Sequence, residues 1–236
     1  GILAQTLGIP VYSVGRGERD FTIDIAAAQE TIKRENIRAV FVVHPNSPTG
    51  NLLRATEIEW LQSLPVDILV VIDEAYYEFA GHSLVGEMQG YPNWVILRTF
   101  SKAWRLAAFR LGYAIACPQV IRVLETIRLP YNLSTFTAMG GELVLQYRQE
   151  ILSLVEAIKQ EREKLYQALK QLPQLQVWPS AANFLYLQTA DDRNLQQYLA
   201  RAGTLIRHTG GGLRITIGTP PQNQRTIDRI YSFYKG

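Results

Sequence analysis

The chain has 236 residues, of which 47% are hydrophobic and 19% charged, enough for one large domain or for a large and a small one. Its 24 Lys and Arg residues against 21 Asp and Glu give a net charge of +3, which is too balanced to indicate a nucleic-acid partner. The single cysteine, Cys117, excludes an internal disulfide and fits a reducing compartment, so we expect a cytoplasmic protein. No apolar stretch is long enough to span a bilayer, and we expect no membrane partner.

The first half of the chain alternates short apolar runs with amphipathic segments. Strands are predicted at residues 11–14, 39–43, 68–72, 94–97 and 111–116. A helix is predicted over residues 24–35 with Asp24 as its N-cap, and Thr56 and Glu59 have the spacing of a capping box. The run at 39–43 is continuously apolar, as expected for a strand buried on both faces. This alternation predicts an α/β fold, with a mainly parallel sheet and helices on both faces.

The second half of the chain has a different pattern. A long helix is predicted over residues 150–172, followed by short strands at 177–178, 183–187 and 213–217. A closing helix carries Ile227, Ile230, Tyr231 and Tyr234 on one face. We therefore predict a large domain over residues 1–138 and a smaller C-terminal α+β domain over 139–236, which includes the long connecting helix.

Three successive strands of the first half are each followed by polar residues. In open parallel sheets, ligands bind beyond the carboxyl ends of the strands, so these residues are expected to converge. Each segment alone is also compatible with a structural role, as a turn, a helix N-cap or a solvated surface. Their joint order favours a site. The three segments are His44-Pro45-Asn46-Ser47-Pro48-Thr49-Gly50, Asp73-Glu74-Ala75-Tyr76, and Arg98-Thr99-Phe100-Ser101-Lys102 with Arg110 eight residues further on.

These residue types suit one kind of chemistry. A lysine at a sheet edge can form an imine with an aldehyde cofactor. A carboxylate such as Asp73 can pair with a protonated pyridine nitrogen, which keeps the ring electron-poor. Tyr76 can hydrogen-bond a ring hydroxyl. Hydroxyl and guanidinium donors for a phosphate dianion come from Thr99, Ser101 and Arg110.

The same segments resemble the class I/II aminotransferases of pyridoxal phosphate (PLP) fold type I. Within that family, five stretches are similar to the histidinol-phosphate aminotransferases: DEAYYEF, LRTFSKAWRLAAFRLGYAIA, PYNLS, ANFLYL and LRITIGT. The resemblance covers essentially the whole chain. It implies a fold type I large domain, PLP as the cofactor, and a homodimer in the full-length protein.

The resemblance also implies roles for the cofactor-binding residues. Lys102 would hold PLP as a Schiff base and move the proton between the substrate and the cofactor. Asp73 would pair with the pyridine nitrogen, and Tyr76 would hydrogen-bond the ring oxygen. Ser47 stands where the family usually has an asparagine that contacts this oxygen, so the contact is expected to be weaker or water-mediated. The phosphate ligands would be Thr99, Ser101 and Arg110.

Substrate-binding roles are implied in the second half. Arg214 would bind the substrate α-carboxylate in bidentate fashion, and Arg207 would bind the phosphate of histidinol phosphate. Tyr131 and Asn132 would lie near the substrate end of the pocket. Asn183 would either face the site or cap a turn. The segment at 208–213 is shorter than in relatives, which weakens the case for Arg207.

The implied activity is transamination between histidinol phosphate and 2-oxoglutarate, giving imidazole-acetol phosphate and glutamate in histidine biosynthesis. Its partners would be small amino acids and keto acids. Three alternatives remain open: a threonine-phosphate-type decarboxylase, a broader aromatic aminotransferase, and an inactive or ligand-sensing aminotransferase-like fragment.

The start of the chain also differs from the family pattern. The chain opens on GILAQTLGIPV without an initiator methionine, as the middle of a domain would. We therefore expect that the N-terminal part of the large domain is missing. We also expect that the chain alone binds PLP weakly or not at all.

Overall fold

The computed structural model describes residues 2–235 and contains two four-stranded sheets. The first has the order β1-β2-β3-β4, and its inner strands run parallel to each other and to β1. The last strand, β4, is antiparallel to β3, which a short connection without a crossover helix permits. The prediction of a mainly parallel sheet is therefore confirmed. The strands are β1 (Ala39–Val43), β2 (Leu69–Asp73), β3 (Trp94–Thr99) and β4 (Gly112–Ala116).

The second sheet is antiparallel and has the order β5-β6-β8-β7. Its third strand in the chain, β7, was not predicted, because it has only three residues and all of them are polar. The first sheet belongs to an α/β unit, and the second belongs to a smaller α+β unit that follows it in the chain, as predicted. The strands are β5 (Gln176–Trp178), β6 (Phe184–Gln188), β7 (Arg207–Thr209) and β8 (Gly212–Thr216).

Nine α-helices lie within residues 2–235, together with 3-10 helices at Leu84–Gly90 and Ala107–Phe109. Among these helices, none is both long and apolar enough to cross a bilayer. The predicted domain boundary at residue 138 falls inside α6 and stays a prediction. The α-helices are α1 (Ile2–Thr6), α2 (Ile25–Arg34), α3 (Ala55–Gln62), α4 (Tyr77–Ala80), α5 (Pro118–Ile127), α6 (Thr135–Gln146), α7 (Arg148–Lys170), α8 (Asp192–Arg201) and α9 (Pro220–Lys235).

The sequence predicted the start of α2 correctly and the start of α3 incorrectly. Asp24 caps α2 as predicted, since its Oδ1 accepts a hydrogen bond from the Ala27 amide at 3.0 Å. The predicted capping box at Thr56 was wrong, because α3 follows Arg54. The buried Glu57 carboxylate accepts the Arg54 amide and the Ile23 amide, each at 2.7 Å. A long-range partner therefore helps to set this helix start.

Two strand predictions in the first half were wrong. Residues 11–14 form no strand, and the nearest pairing is an isolated bridge between Arg16 and Ile23. The strand β1 is not buried on both faces, because it is an edge strand of the described sheet and the Phe41 side chain is 72% exposed. Apolar composition alone did not reveal which face of a strand is covered.

Two hydrophobic cores support the sheets. The first core lies between the first sheet and its helices and contains the fully buried Val70, Ile72, Trp94 and Ile96. The second core packs the helices α7, α8 and α9 against the second sheet. Its fully buried members are Leu165, Leu169, Leu185, Leu187, Leu195, Leu199, Leu213 and Ile230.

The turn at residues 46–50 joins the two units. The Ala181 amide donates to the Gly50 carbonyl at 2.8 Å, and Arg214 of β8 donates to the Ser47 hydroxyl at 3.1 Å. Gly50 has a φ of 79°, and a Cβ atom at this position would lie 2.3 Å from the Ser180 hydroxyl oxygen. The backbone approach therefore requires glycine here.

Candidate active site

A cleft of about 290 Å³ lies beyond the ends of β2 and β3. These strands are paired in parallel with Asp73 opposite Leu97, so the residues that follow them meet at one edge of the sheet. The structure thereby brings together five of the residues predicted to form the site. The cleft is lined by Asp73, Ala75, Leu97, Arg98, Thr99, Ser101, Lys102 and Arg110.

Asp73 supplies a half-buried carboxylate to the cleft. Its Oδ1 accepts a hydrogen bond from the Ala75 amide at 2.9 Å. Burial raises the pKa of Asp73 above its ordinary value, although the Ala75 amide and the charge of Lys102 act in the opposite direction. The ionised carboxylate is therefore only partly compensated by the protein, and a protonated nitrogen placed beside it would stabilise the charge.

Three donor side chains form a second part of the cleft. The Thr99 hydroxyl donates to the Ser101 oxygen at 2.9 Å, and the Ser101 amide donates to the Thr99 oxygen at 3.1 Å. The exposed Arg110 donates from Nη1 to the Ala107 carbonyl at 2.9 Å and to the Ser101 oxygen at 3.5 Å. Two hydroxyls and a guanidinium in one cleft fit an anion with several acceptor oxygens.

Lys102 lies beside Tyr76, whose ring contacts the second sheet. Its Nζ is 5.2 Å from the centroid of the Tyr76 ring, and it forms no ion pair with any carboxylate of the described residues. The buried Tyr76 ring packs edge-on against Phe184 of β6 at 5.1 Å. Tyr76 does not line the cleft itself, and its predicted contact with a ring oxygen stays a prediction.

Arg214 of β8 approaches the same region from the second sheet. Its Nη1 donates to the Ser47 hydroxyl at 3.1 Å, and its guanidinium lies 4.9 Å from the Phe184 ring centroid. Its Nε is buried and has no hydrogen-bond partner among the described residues. An unpaired buried donor is costly, and a bound carboxylate would remove that cost. The Ser47 hydroxyl is thus engaged by Arg214, a contact the sequence did not predict.

Arg207 of β7 lies directly opposite Arg214 in the antiparallel ladder. Directly opposed residues of such a pair project from the same face of the sheet, with Cβ atoms about 5 Å apart. Neither arginine forms an ion pair with a carboxylate of the described residues. Two guanidinium groups therefore lie on one face without an acidic partner from residues 2–235, an arrangement that is compatible with an anion.

The remaining predicted substrate residues lie outside the cleft. Tyr131 is 98% exposed, and Asn132 accepts a hydrogen bond from Arg128 at 2.8 Å, both in the loop between α5 and α6. Asn183 is half-buried just before β6, and its carbonyl accepts the Ile217 amide at 2.9 Å. The substrate roles of these three residues stay predictions.

Sequence reasoning missed a buried ion pair at the lining of the cleft. Arg98 donates from Nε and Nη2 to one carboxylate oxygen of Glu74, at 3.0 and 2.9 Å. The other oxygen of Glu74 accepts the Leu84 amide at 2.7 Å, and the Arg98 guanidinium stacks 3.6 Å from the Tyr77 ring centroid. A charged residue within a buried strand must be paired, and that requirement was the available signal.

The donor set of the cleft fits one class of cofactor. A primary amine, a carboxylate without an ion pair among residues 2–235 and a group of anion donors all line the same space. An aldehyde-bearing, phosphorylated pyridine has a complementary group for each of them. Arg207 and Arg214 add two cationic side chains on one face of the second sheet.

The comparisons with known proteins agree with this architecture. The sequence model of the family described as "Aminotransferase class I and II" matches residues 3–230. The chain therefore belongs to the class I and II aminotransferases, as the motifs predicted.

One relative is similar to nearly the whole chain. The chain is 55% identical over 250 residues to the histidinol-phosphate aminotransferase of Trichodesmium erythraeum, covering 99% of this chain but 66% of that relative. The chain thus spans just under two thirds of that relative's length.

Solved structures show the same fold. The histidinol-phosphate aminotransferase of Clostridium acetobutylicum superposes with a TM-score of 0.89 at 23% identity, covering 99% of this chain and 74% of that one. The enzyme of Sinorhizobium meliloti, solved in complex with pyridoxal-5'-phosphate, gives a TM-score of 0.83 at 22% identity and covers 98% and 67%.

Proposed function

We propose that the protein containing this chain is a PLP-dependent aminotransferase that converts histidinol phosphate and 2-oxoglutarate to imidazole-acetol phosphate and glutamate. The observation that carries the proposal is the convergence of Asp73 and Lys102 in one cleft with the donors Thr99, Ser101 and Arg110. The 55% identity to the histidinol-phosphate aminotransferase of Trichodesmium erythraeum supports histidinol phosphate as the substrate.

The cleft residues would hold the cofactor by complementary groups. Lys102 would bind its aldehyde carbon, and Asp73 would accept a hydrogen bond from its pyridine nitrogen. Thr99, Ser101 and Arg110 would bind its phosphate. When PLP is bound, its electron-poor ring supplies a sink for the electrons left at the substrate α-carbon after proton loss.

The protein's own contribution to the reaction is proton transfer and orientation. The Lys102 amine would take the proton from the α-carbon and return it to the neighbouring carbon of the cofactor. Asp73 would keep the ring nitrogen protonated, because burial makes an uncompensated carboxylate unfavourable at this position. The Tyr76 ring would limit where the Lys102 amine can lie, since the two are in contact distance of a cation–π pair.

The second sheet would recognise the substrates. Arg214 has a buried Nε without a hydrogen-bond partner among the described residues, and it would bind the α-carboxylate of glutamate in bidentate fashion. Arg207, opposite Arg214 in the ladder, would bind the phosphate of histidinol phosphate. Histidinol phosphate carries a phosphate ester where an amino acid carries its α-carboxylate, so it would be the substrate that needs Arg207.

An assay of the purified, PLP-supplied protein tests this proposal. We expect glutamate to form from 2-oxoglutarate only when histidinol phosphate is present. Lys102→Ala should lower the rate by at least about 1,000-fold, because it removes both the cofactor link and the proton carrier. Asp67→Asn, at an exposed ion pair with Arg38, serves as the matched control and should keep the wild-type rate.

The same assay separates the alternatives. Release of carbon dioxide from a phosphorylated amino acid, without a keto acid, would indicate a decarboxylase. Equal rates with aromatic amino acids that lack a phosphate would indicate a broader aminotransferase. Binding of PLP without any turnover would indicate a ligand-sensing protein. Each of these results contradicts the proposed function.

We also propose that the full-length protein is a cytoplasmic homodimer. The loop and helices at residues 127–143 expose large apolar side chains, including Ile127, Tyr131 and Phe136 at 71%, 98% and 81%. Apolar side chains at this density are typical of surfaces that contact another chain. The single Cys117, which leaves no internal disulfide, supports a reducing compartment.

A further inference from the structure

The strand β7 is held from two sides. It is an edge strand of three residues, paired only with β8 in the sheet. Helix α8 holds it as well: the His208 Nε2 donates to the Asp192 Oδ2 at 2.5 Å, and the Gln196 side chain donates at 3.1 Å to the carbonyl of Ile206, the residue before β7. Both contacts come from α8, and the His208 and Asp192 side chains are about 70% buried.

The position of this pair relative to Arg207 follows from strand geometry. Successive residues of a strand point to opposite faces of the sheet, so His208 and Arg207 project from opposite faces. Arg207 shares its face with Arg214. The contact between Asp192 and His208 therefore holds β7 on one face of the second sheet, while Arg207 projects from the other face.

The contact is needed because Arg207 and Arg214 carry like charges on the face that they share. Like charges directly opposite each other destabilise a pair of antiparallel strands. The connection between the strands adds little rigidity by itself, since Gly210 and Gly211 are both left-handed, with φ of 60° and 75°. The Tyr186 hydroxyl donates to the Gly210 carbonyl at 2.6 Å, which ties the turn but not the strand.

The Asp192 carboxylate is well suited to this role. The hydrogen bond from His208 holds the pKa of Asp192 below its ordinary value, and the amide and charge of Arg193 act in the same direction. Asp192 therefore stays ionised near neutral pH. The sequence left both residues unassigned, because their contact spans 16 positions and involves a strand that was not predicted.

We propose that Asp192 and His208 are positioning residues that hold Arg207 opposite Arg214 and thereby set the affinity for the phosphate-bearing substrate. The proposal rests on the proposed function, in which Arg207 binds that phosphate. Neither residue is expected to touch the substrate, the cofactor or the reacting atoms.

Steady-state kinetics with both substrates give the first test. His208→Ala and Asp192→Ala should each raise the KM for histidinol phosphate about 10-fold, because a misplaced guanidinium loses much of its bond to phosphate. The kcat and the KM for 2-oxoglutarate should change less than about twofold. His208→Gln keeps an N–H donor for Asp192 and should restore most of the affinity. Asp67→Asn, which breaks an exposed ion pair far along the chain, is the control.

Calorimetric titration of the PLP-loaded protein with inorganic phosphate gives a second readout. His208→Ala should weaken phosphate binding about as much as Arg207→Ala does, by roughly 10-fold. A lower free energy of unfolding with unchanged phosphate affinity would mean that the pair is merely structural, and would overturn the inference. An equal rise in KM for both substrates would overturn it as well.

The two proposals fail in different ways. If the wild-type protein does not turn over histidinol phosphate, the proposed function fails. The titration then still decides the inference, which stands if phosphate affinity depends on His208 and Arg207 together. If the protein turns over histidinol phosphate and the His208 variants bind phosphate normally, the inference alone fails.

Discussion

The strand ends of the first sheet and the β7–β8 hairpin of the second sheet present functional groups in different ways. Asp73 ends β2, an inner strand whose Val70 and Ile72 are fully buried. Arg207 lies on the edge strand β7 and is exposed. The first position is fixed by a core that packs on both sides, while the second depends on a few polar contacts at the sheet edge.

This difference matches the two tasks that we propose. A cofactor stays in place over many turnovers, so its ligands benefit from rigid positions. The substrates differ in the anion that they carry, a carboxylate in glutamate and a phosphate ester in histidinol phosphate, and we propose that the exposed Arg207 binds the phosphate. Changes at the strand ends should therefore affect every substrate, whereas changes on the hairpin should discriminate between them.

The largest effect should come from the strand end. Asp73→Asn keeps the shape of the side chain but removes the charge that would pair with the ring nitrogen. We expect kcat to fall at least about 100-fold with glutamate and with histidinol phosphate alike, because oriented charges in such sites contribute factors of this size. Single-turnover measurements with each amino acid would check this. A loss confined to one substrate would contradict the contrast between the two regions.

A smaller and selective effect should come from the hairpin. Arg207→Ala should raise the KM for histidinol phosphate by about 10- to 100-fold, the usual range for a lost hydrogen bond to a charged group. The reaction with an aromatic amino acid that lacks a phosphate should be nearly unaffected. Arg201→Ala, an exposed arginine in the last turn of α8, provides the matched control. An equal loss of activity with both substrates would show that the hairpin contributes to the reaction of every substrate.

The sequence predicted the strand ends better than the hairpin, for physical reasons. Buried strands such as β2 are continuous apolar runs, and their polar ends are visible without knowledge of any partner. The strand β7 has the sequence Arg207-His208-Thr209, which has no apolar residue and pairs only because β8 lies beside it. Edge strands of this kind are specified by tertiary contacts.

Long-range polar contacts were equally invisible in the sequence. Glu74 and Arg98 were both noted after their strands, but their pairing depends on the registry of β2 with β3. Likewise, the failure of the strand predicted at residues 11–14 reflects the lack of a partner, since β1 pairs with β2 alone in the described sheet. An apolar composition allows a segment to form a strand, but the strand forms only where a partner strand is available to pair with it.

The strand-end region should also carry a concealed pH dependence, because the pKa values of the buried His44 and the half-buried Glu78 shift in opposite directions. Burial lowers the pKa of His44 to about 4, and the nearby His82 adds to this effect. Burial raises the pKa of Glu78 to about 7, although hydrogen bonds from its own amide and from Trp104 oppose it. Between about pH 4 and 6.5, unfolded His44 binds more protons than folded His44, so its contribution to stability rises with pH. Between about pH 4.5 and 7, folded Glu78 binds more protons, so its contribution falls.

The two contributions, each about 3 kcal/mol, nearly cancel in the wild-type protein. Glu78→Gln should reveal the His44 slope, with the free energy of unfolding rising more steeply than in wild type from pH 4.5 to 6.5. His44→Gln should reveal the opposite slope over the same interval. Urea denaturation at several pH values measures both, with the exposed Glu87→Gln as the control. Profiles parallel to wild type in both variants would show that neither group titrates in the buried state, and the strand-end region would then owe its rigidity to apolar packing alone.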